Sequence, residues 1–431
     1  MEGASVNNQS AFGRQSIGAL LPIGLWPLCL TLTKMIMIQV YFVLAMYVLM
    51  PVVIIQIFKR WTWAQKIGTV LMAYAVGFIL AFSGACSFEM YSPAEQTLSR
   101  MQQLLMSVSV SLAIPLMLFN CDFQLWAKSL PKTLWALVGG VLAVVIAVVS
   151  GYWVFQFTDI PELDKVAAML TGIYTGGTMN FNALGAALGV DKSVMAIVLA
   201  FQMLITTPYI VFVLAGGYKV YRVILPYDDG ISISESIHRN GKRATEVERY
   251  DDMMRKRNFW SMMQALLLSV LFLLIGVGLS IWISGSISEM VVILTITALG
   301  IIASFFKPVR QLRKTFELGM FFILVFSVIV ASMFDYHSVN AGSMMIGAFV
   351  AWIIGVSTLL HLGFCRMGKV SGDLFTVSQV GLLCSPPFVP TVVGAMGNRK
   401  VLISGMVVGL MGYAIGTYLG IGIYYLFHLL F

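Results

Sequence analysis

Apolar residues fill this chain in long blocks, and the charges fall between them. The blocks are near the ~20 residues that cross a bilayer as an α-helix. They predict helices at about 36–58, 67–87, 101–120, 134–157 and 194–217 in the first half. In the second half they predict helices at about 259–284, 289–306, 317–334, 340–364 and 401–428. Residues 218–258 form the one long polar stretch between the halves, with 9 Lys/Arg and 7 Asp/Glu, and read as a solvated linker. The expected organisation is an N-terminal segment 1–35, a first repeat 36–217, a charged cytoplasmic linker 218–258 and a second repeat 259–431. Within 1–35, residues 19–33 are interrupted by Pro22 and Pro27, which leaves a short helix, an interfacial segment and irregular chain all open.

Two further apolar blocks are broken at their middle. Residues 166–190 contain Thr175-Gly176-Gly177-Thr178-Met179-Asn180-Phe181-Asn182, and 374–398 contain Ser378-Gln379 and then Cys384-Ser385-Pro386-Pro387-Phe388-Val389-Pro390. Glycine pairs and prolines stop helices. Each block follows four helices and precedes the fifth of its half. A glycine pair also serves close helix packing, but flanking Thr and Asn exceed what packing needs. A double proline followed by Pro390 exceeds an ordinary kink. The repeated Gly405, Gly409, Gly412, Gly416, Gly420 and Gly422 of the last helix read as packing positions.

Composition narrows the class. With 59% hydrophobic and 11% charged residues over 431 positions, the chain lacks the charge that soluble domains carry. Long continuous blocks also differ from the short alternating segments of a β-barrel. The expectation is an all-α polytopic membrane protein, multi-pass in a bacterial inner or plasma membrane. The net charge of +8 then reads as topology and not as a nucleic-acid partner. If neither broken block crosses, and the loop at Lys59, Arg60 and Lys66 is cytoplasmic, 22 of the 27 Lys/Arg fall inside. Arg100, Lys165 and Lys192 fall outside, with Arg14 and Lys34 unassigned. If both blocks cross, the better orientation places 17 inside and 8 outside. The positive-inside rule favours hairpins. Five helices separate them, so they enter from opposite faces, and the halves form two inverted repeats of five transmembrane helices, each with a discontinuous or re-entrant segment.

Broken helices at membrane depth are tolerated only where they line a cavity or lie within protein. Secondary transporters bind substrate and coupling ion at such breaks near the midplane. Half-helix N-termini suit a carboxylate, and carbonyls with Thr and Asn oxygens suit a small hard cation. The candidate substrate-binding residues are Gly176, Gly177, Thr178, Asn180, Asn182, Ser378, Gln379 and Ser385. The candidate ion ligands are Thr175, Thr178, Asn180 and Ser385, with Na+ the candidate coupling ion and no cofactor.

Ionisable residues within the blocks are few. Asp122, Asp335, His337, His361 and His428 each lie near a helix end, where a solvated side chain is the plain reading. A buried Asp pair suited to proton antiport is not visible. An enzyme is not expected either: no HExxH occurs, and Ser378 with His361 has no spacing that marks a dyad. The five cysteines lie in or beside apolar blocks without metal-ligand spacing.

At Met169 to Ala183, and again at Ala113-Ile114-Pro115-Leu116 and at Gly409 to Gly420, the sequence resembles the domain-of-unknown-function 819 membrane family. The likeness covers roughly residues 65–425. That family is similar, distantly, to sodium–glutamate, citrate and bile-acid symporters, which implies inverted repeats and discontinuous core helices. By this resemblance Gly176, Gly177 and Asn180 form the first core break and Ser378 to Pro387 the second. The symporter relatives carry glycines where Cys384-Ser385-Pro386-Pro387 stands here.

The expected function is a secondary active transporter that moves a small organic anion or amino acid by alternating access. A channel or lipid-linked translocase on the same fold, and a non-transporting receptor or assembly protein, are the alternatives. The expected partners are a carboxylate-bearing small molecule, the lipid bilayer and a second copy in a homodimer.

Overall fold

A computed structural model of the chain describes residues 26–84, 86, 92–119, 123–227, 250, 253, 255–334 and 344–430. The regular secondary structure among the described residues is all helical, with α1 Trp26–Arg60, α2 Thr62–Ile67, α3 Thr69–Phe82, α4 Pro93–Leu118, α5 Phe123–Phe155, α6 Leu163–Ala187, α7 Lys192–Phe212 and α8 Tyr218–Ile224. The second half has α9 Lys256–Ser284, α10 Glu289–Ser304, α11 Lys307–Arg310, α12 Thr315–Ser332, α13 Met344–Met367, α14 Gly372–Leu383, α15 Phe388–Met396 and α16 Leu402–Leu430.

Eight helices among the described residues are long and apolar enough to cross a membrane, and α3 and α10 are shorter apolar helices. Two expected boundaries are corrected. The first helix starts at Trp26, ten residues before position 36, because Pro27 lies in the first turn, where its missing N–H costs nothing. The helix expected at 194–217 continues past its end. A π-turn at Val213–Gly217, with Gly216 at φ +125, bends it, and α8 carries it to Ile224. The polar linker therefore starts at Leu225, seven residues later than the expected position 218. Its middle, 228–249, lies outside the described residues, as do Asp122, Asp335 and His337.

Packing divides the helices into two groups. In the first, α4 and α12 lie against each other, α3 packs on α12, and α9 and α10 pack on α4. A triad fastens this group: the Gln102 amide donates to Tyr47 Oη at 2.7 Å, and Tyr47 lies 2.8 Å from Ser332 Oγ. In the second group α5 packs on α13, α7 on α13, and α6, α14 and α5 on α16. Apolar side chains of α1 (Phe42, Leu49, Val53) and α9 (Leu267, Leu271, Leu274) point outward, as lipid-facing surfaces do.

Candidate functional site

The first broken segment, α6, is two arms joined at Gly176 (φ −148, ψ 20) and Gly177 (φ +71, ψ −171). The arms run side by side. A Cβ on Gly172 would meet Leu184 and lie 3.4 Å from Asn180, and one on Gly185 would lie 3.2 Å from Met169. A straight helix would separate positions 172 and 184 by about 18 Å, so the segment turns back on itself. Its two ends meet as well: Glu162 Oε1 accepts from the Asp191 N–H at 3.4 Å. The Lys165 ammonium at 2.6 Å holds the Glu162 carboxyl below the usual carboxylate range. The Ser193 N–H and hydroxyl do the same for Asp191.

The second segment, α14 and α15, also turns back. Its ends are tied where Asn398 Nδ2 donates to Asp373 at 2.8 Å, while Arg222 of α8 donates to both Asp373 oxygens and to the Met396 carbonyl. At the tip, Ser385 holds φ +91, one of four non-glycine residues with positive φ among those described. This is backbone that glycine adopts without strain. Phe388 and Val389 donate their N–H groups back into the tip turn, to Ser385 and Pro386 carbonyls, and Pro386 and Pro387 have none. The second tip therefore offers few free N–H groups to an anion.

The glycine face of α16 brings the tips together. Cβ positions on Gly405 and Gly409 would meet Val377, Val389 and Pro386 of the second hairpin, whereas those on Gly412, Gly416 and Gly420 would meet Thr175, Asn180 and Leu184 of the first. Gly422 meets nothing within 4 Å. One stripe thus seats both hairpins, at a separation that any side chain on it would prevent. At the junction a Cβ on Gly177 would collide with Ser385 Oγ and lie 3.1 Å from the Tyr413 ring.

The candidate residues separate into two sets. Thr178 and Asn182 are exposed and Ser385 is half-buried, so their oxygens are reachable. The others are buried. Asn180 donates to the Tyr413 carbonyl at 3.2 Å and accepts from Thr417 at 3.0 Å, and Thr175 Oγ1 donates to the Thr171 carbonyl at 2.8 Å. The Asn180 bonds fasten the first hairpin to α16, whereas the Thr175 bond stays within α6. Gln379 lies 2.5 Å from His361 Nδ1 and donates to Thr358 at 2.9 Å, which fastens the second hairpin to α13. Ser378 Oγ is buried without a partner.

His361 corrects an expectation. It is 0% exposed instead of solvated, and its Nε2–H donates to the Ala136 carbonyl at 2.9 Å. The slot for its ring exists because Gly140 has no Cβ, which would lie 3.3 Å from Nε2. Both ring nitrogens are engaged, and no hydrogen bond joins His361 to Ser378. His428, on the last turn of α16, lies 3.4 Å from Asp164.

Tyrosines near the tips carry no signal in the sequence. The Tyr74 and Tyr174 hydroxyls are buried without a hydrogen-bond partner. Thr206 is near Tyr174 but outside hydrogen-bonding geometry. Tyr413 has its hydroxyl beside Ser385. Because these residues sit in apolar helices at ordinary spacing, only the fold brings them together.

Many apolar spanning helices, two broken segments folded back within them and polar groups held at the breaks define a multi-pass α-helical membrane protein. The chain belongs to the family described as "Protein of unknown function (DUF819)", whose model matches residues 79–430. It is 25% identical over 380 residues to the Bacillus subtilis (strain 168) protein described as "Uncharacterized membrane protein YjcL", covering 84% of this chain and 90% of that one.

Proposed function

We propose that this protein is a secondary active transporter that moves a small organic anion or amino acid across the cell membrane by alternating access. One observation carries the reading: two hairpins, tied at opposite ends of the molecule, meet at their tips beside reachable polar side chains. Thr178 and Asn182 are exposed at hairpin depth. Polar groups there require water or protein, not hydrocarbon, and the reading puts the aqueous path of the solute along this face.

Packing supports an inverted repeat. If α1, α3, α4, α5, α6 and α7–α8 correspond in order to α9, α10, α12, α13, α14–α15 and α16, most neighbour pairs have a counterpart. The α3–α12 contact answers α10–α4, α1–α12 answers α9–α4, and α5–α16 answers α13–α7. The α4–α12 and α5–α13 contacts map onto themselves. Ion pairs follow the same rule: Asp164, second in its hairpin, meets His428 at the end of α16, and Asp373, second in its hairpin, meets Arg222 at the end of α8. The group holding both hairpins is the moving part, and α1 and α9 belong to the scaffold, where a homodimer would form. Sodium remains the candidate coupling ion, held by carbonyls at the Gly176–Gly177 break with Thr178 and Ser385.

The test is uptake by protein reconstituted in liposomes, with amino acids and mono- and dicarboxylates, with and without a sodium gradient. The reading expects concentrative uptake of one solute class, reduced about tenfold or more in Thr178→Ala and Ser385→Ala. Absence of uptake of every class by folded protein would refute it.

A further inference from the structure

The two hairpins are not covered alike. The second arm of the second hairpin, α15, packs on α12, α3 and α4 of the scaffold group. Its Phe388 ring lies 5.3 Å from Phe326 of α12. A Cβ on Gly394 would collide with Met320 of α12 and lie 3.5 Å from Val70 of α3. No residue of Phe388–Met396 is exposed. The second arm of the first hairpin, 178–187, lacks this cover. The packing of α6 is on α5, α7, α14 and α16, all of its own group, and Thr178, Asn182, Ala183, Ala186 and Ala187 are exposed.

An ion pair crosses the covered side. Arg399, just after the second hairpin, lies 3.5 Å from Glu317 of α12 and holds its guanidinium 3.7 Å from the centre of the Phe316 ring. Glu317 is 8% exposed and has a second cation, Lys314 of its own group, at 3.5 Å. Departure of Arg399 therefore does not strand a buried carboxylate, as a contact that opens and closes requires.

The uncovered side has the same parts in corresponding places. Each second arm is followed by a left-handed glycine, Gly189 at φ +62 and Gly397 at φ +70. An Asx cap comes next: Asp191 accepts from the Ser193 N–H at 2.7 Å, and Asn398 from the Lys400 N–H at 3.2 Å. A basic residue then opens the following element, Lys192 in one case and Arg399 in the other. Glu317 is the third residue of α12, and Glu95 is the third residue of α4, the counterpart of α12. None of the ion pairs among the described residues includes Glu95 or Lys192. Ala94 stands where Phe316 supplies a ring, so a Lys192–Glu95 pair would lack the cation–π contact and be the weaker of the two.

We propose that Arg399–Glu317 and Lys192–Glu95 are alternate latches, one for each state of the cycle. The state described is the one closed on the cytoplasmic side and open outside, with sidedness taken from the basic residues. When α15 leaves α12, the exposed arm of the first hairpin docks on α4 and α10, and Lys192 reaches Glu95. This rests on the transporter reading and its inverted repeat, and it names the contacts that exchange.

The experiment cross-links cysteine pairs with a short bifunctional thiol reagent, in full-length protein without native cysteines reconstituted in liposomes. One protein carries Glu95→Cys with Lys192→Cys, and another adds Glu317→Cys with Arg399→Cys. The protein with all four is expected to take either cross-link but never both. Glu317→Gln is expected to raise cross-linking of the 95–192 pair about fivefold, and to slow labelling of Ala183→Cys by an impermeant reagent by a similar factor. Glu317→Asp is expected to change both by less. Both cross-links in one molecule, or unchanged cross-linking and labelling in a Glu317→Gln protein that melts as the parent does, would overturn the latches. Concentrative uptake of an amino acid or carboxylate by that same protein would leave the transporter reading standing. Cross-links that alternate in a protein taking up none of these solutes would keep the latches and refute transport alone.

Discussion

Ser385 shows how a single backbone angle ties the two tips together. Its φ of +91 costs a non-glycine residue about 1–3 kcal/mol, and its Oγ lies where a Gly177 side chain would go. Ser385→Gly is therefore expected to keep or raise stability, by about 1 kcal/mol, while losing the reachable oxygen. Ser385→Val is expected to lower stability by more than that. Thermal melts in detergent check both, and a Ser385→Gly protein markedly less stable than the parent would contradict the strain. Gly177→Ala has φ +71 and the Ser385 collision against it, and should lose about 2 kcal/mol or fail to fold. Position 177 stands out in the sequence because Gly176-Gly177 interrupts an apolar run. The roles of Asn180 and Gln379 do not, since nothing local shows that their amides meet α16 and α13. His361 reads as solvated for the same reason: its slot depends on Gly140, more than 200 positions away.

At the scale of elements, the glycine stripe of α16 and the ties at the hairpin bases set the architecture. Gly416→Val would drive methyl groups into Asn180 and Thr175, at an expected cost of about 1–3 kcal/mol, whereas Gly422→Ala, with open space around it, should be near neutral. Equal melting temperatures for the two variants would refute the seating of the first hairpin. Arg222→Ala leaves Asp373, 1% exposed, without its cation, and is expected to lower stability by about 3 kcal/mol. Hydrogen exchange should then rise across 372–398, and unchanged protection there would argue against the tie. The base of the first hairpin depends on carboxylates held below their ordinary range by Lys165 and by Ser193. That contribution is present near neutral pH and is lost as pH falls through the depressed values, below about pH 4. Exchange around 160–165 and 188–193 should therefore increase on acidification. The α16 stripe was open to reading as packing, but the sequence does not tell which half of it meets which hairpin.

Across the whole molecule, helix number follows from apolar block length, because a bilayer imposes a minimum span. The exceptions have physical reasons: Pro27 is harmless in a first turn, and α8 extends the chain past Gly216 because Tyr221 and Arg222 have partners on the second hairpin. Charge placement carries the fold-back of the two segments better than any local motif, since each extra crossing would move basic residues to the other face. What charge placement leaves out is the chemistry of the tips, where neutral side chains of the two hairpins and α16 meet. Sidedness tests the central claim most directly. In a protein without its five native cysteines, single cysteines replace Lys192, beside the first hairpin, and Arg399, beside the second, and are labelled with a membrane-impermeant reagent in oriented vesicles. Two hairpins entering from opposite faces predict that position 192 reacts only from outside and position 399 only from the cytoplasmic side. Reaction of both from one side would contradict the inverted architecture and the transport mechanism built on it.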